Sequence, residues 1–137
     1  MGLDMYIFAK QKGAPKTDPD TGYLLGAESA YWRKAWMIRH WLEEHQIIEV
    51  NDNCRNRHIS RDQIALLKRE CDVLLNIQDD YRFFEDLSKC YGFILNGFID
   101  RVEAHTLAEE LEETSEQLAN LLYEFGQDYE FFYYDSW

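Results

Sequence analysis

The sequence predicts an α+β domain in which three helices pack on a small, mainly antiparallel sheet that pairs the N- and C-terminal strands. Three observations predict this fold. The chain begins with an alternating apolar segment, has helical periodicity in its middle, and ends in "FYYDSW", whose aromatic side chains are typical of a strand. Its 137 residues contain neither a linker nor an internal repeat, so residues 1–137 are predicted to form a single domain.

The first segment alternates in the way that a strand with one buried face does. One face carries Leu3, Met5, Ile7 and Ala9, and the other carries Asp4, Tyr6, Phe8 and Lys10. The stretch "QKGAPKTDPDTG" predicts a long loop, from which "YLLGA" returns to pair with the first strand. This loop is not a calcium site, because Ser29 stands where the calcium motif requires a bidentate Glu.

A first helix is predicted from about Glu28 to Gln46, and a helical projection divides it into two stripes. The stripe expected to face the core carries Tyr31, Ala35, Ile38 and Leu42. The other stripe carries Trp32, Arg33, Trp36, Arg39 and His40. Two large aromatic side chains are therefore expected among cations, away from the core.

The next segments predict a small hairpin and a second helix. "IIEV" and "CRNRHI", joined by "NDN", form the predicted hairpin. Ser60 is expected to cap the second helix, with the Gln63 side chain reaching back to it and with Ile59 and Ile64 forming a hydrophobic staple. Apolar residues at helical spacing continue this helix to about Asn76.

The last helix is predicted from about Asp100 to Phe125, with Gly126 at its end. Before it, residues 77–91 give no ordered pattern, whereas "YGFILNG" predicts a buried strand and a turn. The predicted core stripe of the helix consists of Ala104, Ala108, Leu111, Leu118, Leu122 and Phe125. The rest of its surface is rich in glutamate, with Glu109, Glu110, Glu112, Glu113 and Glu116.

The C-terminal segment "YEFFYYDSW" predicts a strand that runs to the end of the chain. If this strand pairs with the first one, the domain is closed by its own terminal segments. Tyr6 and Phe8 are then expected to meet Phe132 and Tyr134 on one face of the sheet.

The charge of the chain limits the classes of partner. It carries 26 acidic and 14 basic side chains, for a formal net charge of −12. Direct nucleic-acid binding is not expected, because duplex affinity depends on neutralising phosphates. No apolar run approaches the about 20 residues of a membrane span, and no basic segment precedes the first apolar stretch. We therefore expect a cytoplasmic protein without a membrane partner.

The cysteines and histidines show no pattern of a metal site or a catalytic centre. Cys54, Cys71 and Cys90 lie far apart without a CxxC motif, which predicts buried free thiols. His40 and His45 are five residues apart, so they do not share a helix face as paired ligands would. There is also no glycine-rich phosphate loop and no dinucleotide fingerprint. The sequence predicts no metal and no cofactor, and it does not support an enzyme.

The segment "AYWRKAWMIRHW", residues 30–41, concentrates three of the four tryptophans and several cations in this acidic chain. Trp and Arg are the side chains that dominate interface energetics, and an anion at a helix start gains from free backbone amides. The predicted partner- or ligand-binding residues are Trp32, Arg33, Lys34, Trp36, Arg39 and His40. The alternative is that this stripe packs under the sheet or the second helix, with its cations paired to carboxylates.

The glutamates of the last helix also allow two interpretations. A row of carboxylates on a helix is most often a solvated face. The second interpretation is that the row imitates nucleic-acid phosphates and occupies a basic groove on a nucleic-acid-binding host protein.

Three motifs carry a resemblance to a known family: "GLDMYIFAK" at the start, "YWRKAWMIRHW" in the predicted first helix, and "FYYDSW" at the end. In these motifs the chain resembles a family of small uncharacterised proteins encoded by bacteriophages and prophages. It differs in having Trp36 and Arg39 where similar proteins have Asn and His, and residues 96–106 do not follow the family pattern. The resemblance implies a phage or prophage origin and a bacterial host cytoplasm, and it implies no activity.

These observations favour a non-enzymatic interaction protein that binds a host or phage macromolecule. An alternative is a binder of a small phosphorylated or nucleotide ligand at the start of the first helix, through Arg33 and Lys34. A third hypothesis is a hydrolase or transferase without a recognisable motif. A homo-oligomer is compatible with the sequence.

Overall fold

The computed structural model describes residues 2–15, 19–20, 26–76 and 104–137, with side chains from position 109 in the last range. In chain order the described elements are β1 (Asp4–Gln11), β2 (Ala27–Arg33), α1 (Trp36–Glu44), β3 (Arg57–Ile59), α2 (Arg61–Asn76), α3 (Ala104–Glu124) and β4 (Tyr129–Ser136). The predictions for residues 77–91, for "YGFILNG", for Cys90 and for the start of the last helix near Asp100 lie outside this range.

The four strands form one antiparallel sheet in the order β2-β1-β4-β3, so that β1 and β4 lie side by side at its centre. Asp4 pairs with Ser136, and the register continues without a shift to Gln11 opposite Tyr129. The predicted α+β fold, with three helices on an antiparallel sheet that joins the terminal strands, is confirmed.

The inner face of the sheet is buried against the helices, as the alternation in β1 predicted. The first strand and the residue before it contribute four inward side chains, Leu3, Met5, Ile7 and Ala9, each at most 2% exposed. The same core continues through Trp41 of α1, Leu67 of α2 and Leu118 of α3. This arrangement buries one stripe of each helix and leaves the other side of the sheet to a separate set of aromatic rings.

The outer face carries the predicted aromatic contacts between β1 and β4. The Tyr6 ring stacks on Phe8 with 5.6 Å between ring centroids, and it lies 6.3 Å from the ring of Tyr134. Phe8 pairs with Phe132 in the register of the two strands. Cross-strand aromatic pairs of this kind contribute about 0.2–1 kcal/mol each relative to alanine pairs.

The prediction of one helix from Glu28 to Gln46 is wrong in its first half. Residues up to Arg33 form β2, and α1 begins only at Trp36. Between the two elements Lys34 adopts a left-handed backbone conformation with φ 59°, and its N–H donates to the Leu3 carbonyl at 2.7 Å. Pairing with β1 thus overrides the helical propensity of this segment. The projection that placed Trp32 and Arg39 on one exposed stripe does not apply.

The predicted hairpin from Ile47 to Ile59 is also wrong. The chain leaves α1 through a Schellman motif in which Gln46, at φ 58°, donates to the Glu43 carbonyl and Ile47 donates to the Leu42 carbonyl. Ile47 and Ile48, the apolar pair that suggested a strand, are both buried beside Leu42 at the end of the helix. Only residues Arg57–Ile59 of this region form a strand, and that strand pairs with β4.

The capping box predicted for α2 is confirmed. The Gln63 N–H donates to the Ser60 hydroxyl at 3.1 Å, and the Ser60 N–H donates to the Gln63 side-chain carbonyl at 2.8 Å. Ile59 and Ile64, the predicted staple, are both fully buried. The helix ends at Asn76, as expected.

The described part of α3 buries Leu111 and Leu118, as predicted, and also Thr114 and Leu121. The side chains predicted at positions 104 and 108 of its core stripe lie outside the described set. Its C-terminal carbonyls are capped from another helix, because the Arg61 guanidinium donates to the carbonyls of residues 122, 125 and 126. This contact ties the start of α2 to the end of α3.

The open edge of β2 is partly closed by a side chain of α3. The Tyr31 N–H donates to Gln117 Oε1, and Gln117 Nε2 donates to the Tyr31 carbonyl, both at 2.8 Å. A side-chain amide therefore takes the place of a neighbouring strand. Because unpaired strand edges invite strand addition and aggregation, this contact protects the sheet.

Replacing Gln117 by Ala is expected to destabilise the fold by about 1–2 kcal/mol, because each lost hydrogen bond contributes about 0.5–1.5 kcal/mol. Hydrogen exchange should accelerate at the Tyr31 amide but not at the Trp32 amide, which alternation directs toward β1. Asn120→Ala, an exposed change on the same helix, provides the control. Unchanged exchange at Tyr31 in the Gln117 variant would show that this amide is protected by something else.

Candidate functional site

The structure separates the six predicted site residues into buried and accessible groups. Trp32 lies on the inner face of β2 and is 3% exposed. Its indole N–H donates to the Thr114 hydroxyl at 2.9 Å, which links β2 to α3. A buried, fully bonded indole is a core residue, so Trp32 has a structural role.

Arg39, the second buried member, is 2% exposed and forms the centre of a polar cluster. Its Nε donates to Asp135 Oδ2 at 2.8 Å, its Nη2 donates to the Asp52 carbonyl at 2.7 Å, and its Nη1 contacts Glu43. The Tyr133 hydroxyl donates to the same Asp135 oxygen at 2.7 Å. Burial, the charge of Asp135 and this bond together raise the pKa of Tyr133. The guanidinium is therefore saturated by intramolecular partners.

The C-terminal residue Trp137 covers this cluster. Its indole N–H donates to the Asp52 carbonyl at 2.8 Å, and the Arg39 guanidinium lies 5.5 Å from its ring centroid. The Asn53 side chain receives the Trp137 N–H at 3.0 Å and donates to the Trp137 carbonyl at 2.9 Å. The end of the chain is thereby fixed to the loop that follows α1. We call Arg39, Asp52, Asp135 and Trp137 the Arg39 cluster.

Asp52 also joins the cluster to β3. Its two carboxylate oxygens receive Nε and Nη2 of Arg57 at 2.7 and 2.8 Å, a bidentate pair. The hydrogen bond from Arg57 is the main cause that lowers the pKa of Asp52. This ion pair fixes the loop on which the Arg39 cluster is built.

His40 lies on α1 beside two carboxylates. Its ring nitrogens are each 3.7 Å from an acid, Nδ1 from Glu43 and Nε2 from Glu44. The side chain is 19% exposed. These neighbours belong to the same helix, so His40 takes part in a local charge cluster and does not extend the cationic surface formed by Arg33 and Lys34.

The three remaining residues are accessible and adjacent. Arg33 and Lys34 are exposed, and Trp36 is 40% exposed, in contrast to the buried Trp32 and Trp41. Both cationic side chains fold toward Gly2, where a Cβ atom would lie 3.5 Å from Lys34 Cε and 3.6 Å from Arg33 Nε. We call Arg33, Lys34 and Trp36 the Arg33–Trp36 patch.

The carboxylate that lies opposite Arg33 in the sheet accepts a hydrogen bond from a tyrosine of the same strand as Arg33. Asp4 lies directly opposite Arg33 in the strand pairing, but it accepts the Tyr31 hydroxyl at 2.7 Å. This hydrogen bond is the main cause that raises the pKa of Tyr31. Within the described ranges neither Arg33 nor Lys34 forms an ion pair, whereas Lys10, Arg39, Arg57 and Lys68 each do.

The cysteine and metal predictions have different outcomes. Cys71 is buried, and burial raises its thiol pKa to about 12. Cys54 is exposed, in the loop before β3, so the prediction of a buried thiol there is wrong. Among the described residues, no group of three or more metal-binding side chains is close enough to hold an ion. None of the described helices has the length and apolar content to cross a membrane.

The six predicted site residues thus differ in exposure: Trp32 and Arg39 lie in the core, His40 is partly buried, and Arg33, Lys34 and Trp36 are exposed. Arg33 and Lys34 precede α1 and do not lie in its first turn. Comparison of the chain with protein-family models, with curated proteins and with solved structures finds no match.

Proposed function

We propose that the protein is a non-enzymatic interaction protein that binds a macromolecular partner through the Arg33–Trp36 patch. One observation supports this proposal above all others. In a chain with a net charge of −12, Arg33 and Lys34 form no ion pair with any described residue, and the exposed Trp36 lies two residues further along the chain.

The composition of the patch is that of an interface centre. Trp and Arg are enriched among the interface residues whose truncation to alanine weakens binding by about 2 kcal/mol or more. An exposed indole has a large apolar area to bury, and neighbouring cations can stack on its face for about 0.5–1 kcal/mol. A partner that covers Trp36 would therefore gain both apolar burial and charge contacts.

The charge around the patch suggests the partner's chemistry. Arg33 and Lys34 suit acidic side chains, whereas exposed glutamates of α3 at positions 109, 112, 113 and 116 suit basic ones. Gln117 brings this helix to the edge of β2, which also carries Arg33. We propose a protein partner with an acidic patch beside a basic one, such as a nucleic-acid-binding host protein. Opposite charges of this kind set orientation and association rate more than affinity.

The proposed setting follows from the motif resemblance. We propose that the protein is of phage or prophage origin and meets its partner in the cytoplasm of the bacterial host. Its core-forming motifs are compatible with that origin, and the Arg33–Trp36 patch is the part of those motifs that remains free for a partner.

Affinity capture from a bacterial lysate tests the patch with a double variant, Arg33→Ala with Trp36→Ala. Both side chains are exposed, so we expect the variant to fold with a stability within about 0.5 kcal/mol of wild type. We expect it to lose a partner that the wild-type protein retains, because interface Trp and Arg truncations typically cost more than tenfold in affinity.

The matched control replaces Arg69 and Tyr123 by Ala. Arg69 is an exposed cation of α2, and Tyr123 is a 92% exposed aromatic residue of α3. The control variant should recover the partner at the wild-type level. If the two double variants recover every captured protein equally, the Arg33–Trp36 patch is not the binding surface.

A further inference from the structure

A cavity of about 170 Å³ lies at the β3 edge of the sheet, opposite the β2 edge that carries Arg33. Here β3 leads into α2, and α3 is followed by β4. The cavity walls come from residues 58–61, Gln127, residues 129–131 and Lys12. A water molecule needs only about 10–15 Å³ of such space, so the cavity has room for a considerably larger polar group.

The charge of this cavity is opposite to that of the whole protein. Lys12 and Arg61 supply two positive charges, and His58 supplies an imidazole ring. The wall contains one carboxylate, Glu130, which forms an ion pair with Lys10. The hydrogen bond from Lys10 is also the main cause that lowers the pKa of Glu130. The acid is therefore neutralised, and the cavity retains a positive excess.

Several of these groups are already held in place. The backbone N–H of Lys12 donates to the Asp128 carbonyl at 2.8 Å, which fixes the main chain from which its exposed side chain extends. The Arg61 guanidinium lies 5.5 Å from the Phe131 ring centroid while it caps α3. The Ser60 hydroxyl accepts the Gln63 N–H, so its own proton is free to be donated. A ligand here would bind to positioned groups, which lowers the cost of ordering them.

We propose that this cavity, the Lys12–Arg61 pocket, binds a small dianion of the phosphate type, either free phosphate or a phosphomonoester. Lys12 and Arg61 would balance its charge, and the Ser60 hydroxyl and the His58 ring would donate hydrogen bonds to its oxygens. Charge-assisted bonds to several oxygens are the strongest that side chains offer to such an anion. This site is separate from the Arg33–Trp36 patch and does not depend on the proposed function of that patch.

Titration of the ¹⁵N-labelled full chain with sodium phosphate and, separately, with phenyl phosphate tests this proposal, with sodium chloride at equal ionic strength as the reference. We expect saturable amide shifts confined to residues around positions 12 and 58–61. Lys12→Gln should weaken binding by about fivefold, the effect of losing one partly exposed charge contact. Tighter binding of phenyl phosphate would assign the pocket to phosphomonoesters, and equal binding would assign it to free phosphate.

Arg69→Gln is the control variant, because it removes one exposed positive charge at a distance from the pocket. It should bind both probes like the wild-type chain. Shifts that do not saturate, that spread over the whole surface, or that weaken equally in the two variants would overturn the proposal.

Discussion

A chain that ends at Phe131, without the six residues "FYYDSW", is expected to show no cooperative thermal transition. These residues form most of β4, which pairs with β1 on one side and with β3 on the other. Their loss removes the fully buried Tyr133 and the Asp135 partner of Arg39. Deleting one large core aromatic costs about 3–5 kcal/mol, and breaking a buried ion pair costs about as much again. Together these two losses amount to about 6–10 kcal/mol, comparable to the about 5–15 kcal/mol that stabilises a typical domain, and the strand pairing of β4 is lost as well.

Circular dichroism melting and the dispersion of amide resonances measure this outcome. Deletion of Trp137 alone is the control, because this residue is 39% exposed and lies outside the strand pairing. The control chain should keep a cooperative transition at a lower temperature. A truncated chain that still melts in one sharp transition would contradict the central position assigned to β4.

Arg39→Ala is expected to lower the free energy of unfolding by about 3–5 kcal/mol. We expect this to be the largest loss caused by replacing any single Lys or Arg in the described part of the chain. The change leaves the Asp135 carboxylate, 2% exposed on its side chain, without its cation. It also leaves the Asp52 carbonyl with one donor fewer and removes the surface on which Trp137 packs. Urea denaturation measures the effect as a lower midpoint with an unchanged slope.

Two further variants identify the cause of that loss. Arg33→Ala, which removes an exposed arginine without an ion pair, should change stability by no more than about 0.5 kcal/mol. Combining Arg39→Met with Asp135→Asn should cost less than the sum of the single changes, because neither charge then stays buried alone. Strict additivity of the two single changes would show that the Arg39–Asp135 pair does not couple.

Local patterns predicted the parts of the fold that depend on neighbours in sequence. The alternation of β1, the capping box at Ser60 and the aromatic β4 are all properties of fewer than ten consecutive residues, and all three are confirmed. The pairing of β1 with β4 was predicted because both terminal segments have strand patterns, and it is confirmed. Such signals are strong because the side-chain period of a strand fixes which residues share a face.

Long-range contacts decided the parts that the sequence did not predict. The segment from Glu28 to Arg33 is a strand because β1, which ends at Gln11, pairs with it, a contact that no helical projection contains. The end of the first helix was predicted near Gln46, close to the observed end at Glu44. The hairpin predicted after it was wrong, because Gln46, and not the glycine that usually marks such a turn, occupies the left-handed position. Each local preference was real, and tertiary pairing outweighed it.

The exposure of the six candidate residues was predicted only in part for the same reason. Arginine is a residue type common at interfaces, and this suggested a binding role for Arg39. Its ion-pair partner Asp135 is 96 residues away in the chain, and no local pattern connects the two. Trp32 likewise meets Thr114 only in the folded structure. The unusual composition of the segment was visible in the sequence. Which of its cations form ion pairs inside the fold was not. Arg33, Lys34 and Trp36 are the members that the fold leaves accessible.

The three motifs behind the family resemblance meet in one place. "GLDMY" forms the start of β1, "YWR" belongs to β2 beside it, and "FYYDSW" pairs with β1 on its other side and supplies two members of the Arg39 cluster. A chain with all three motifs is therefore expected to have the same central sheet. Many of their residues are explained by packing; among the large aromatic residues of these motifs, Tyr31, Trp36 and Trp137 are exposed, and only the Trp36 side chain forms no hydrogen bond with a described residue.

Site-specific photo-crosslinking from position 36 measures most directly whether the patch contacts a partner. A photoreactive phenylalanine analogue in place of Trp36 is predicted to give a discrete crosslinked species in host cells, and the same analogue in place of Tyr123 is predicted to give none. If both positions give the same products, or if a correctly folded Trp36 variant gives no adduct, the surface has no specific occupant and the proposed function is wrong.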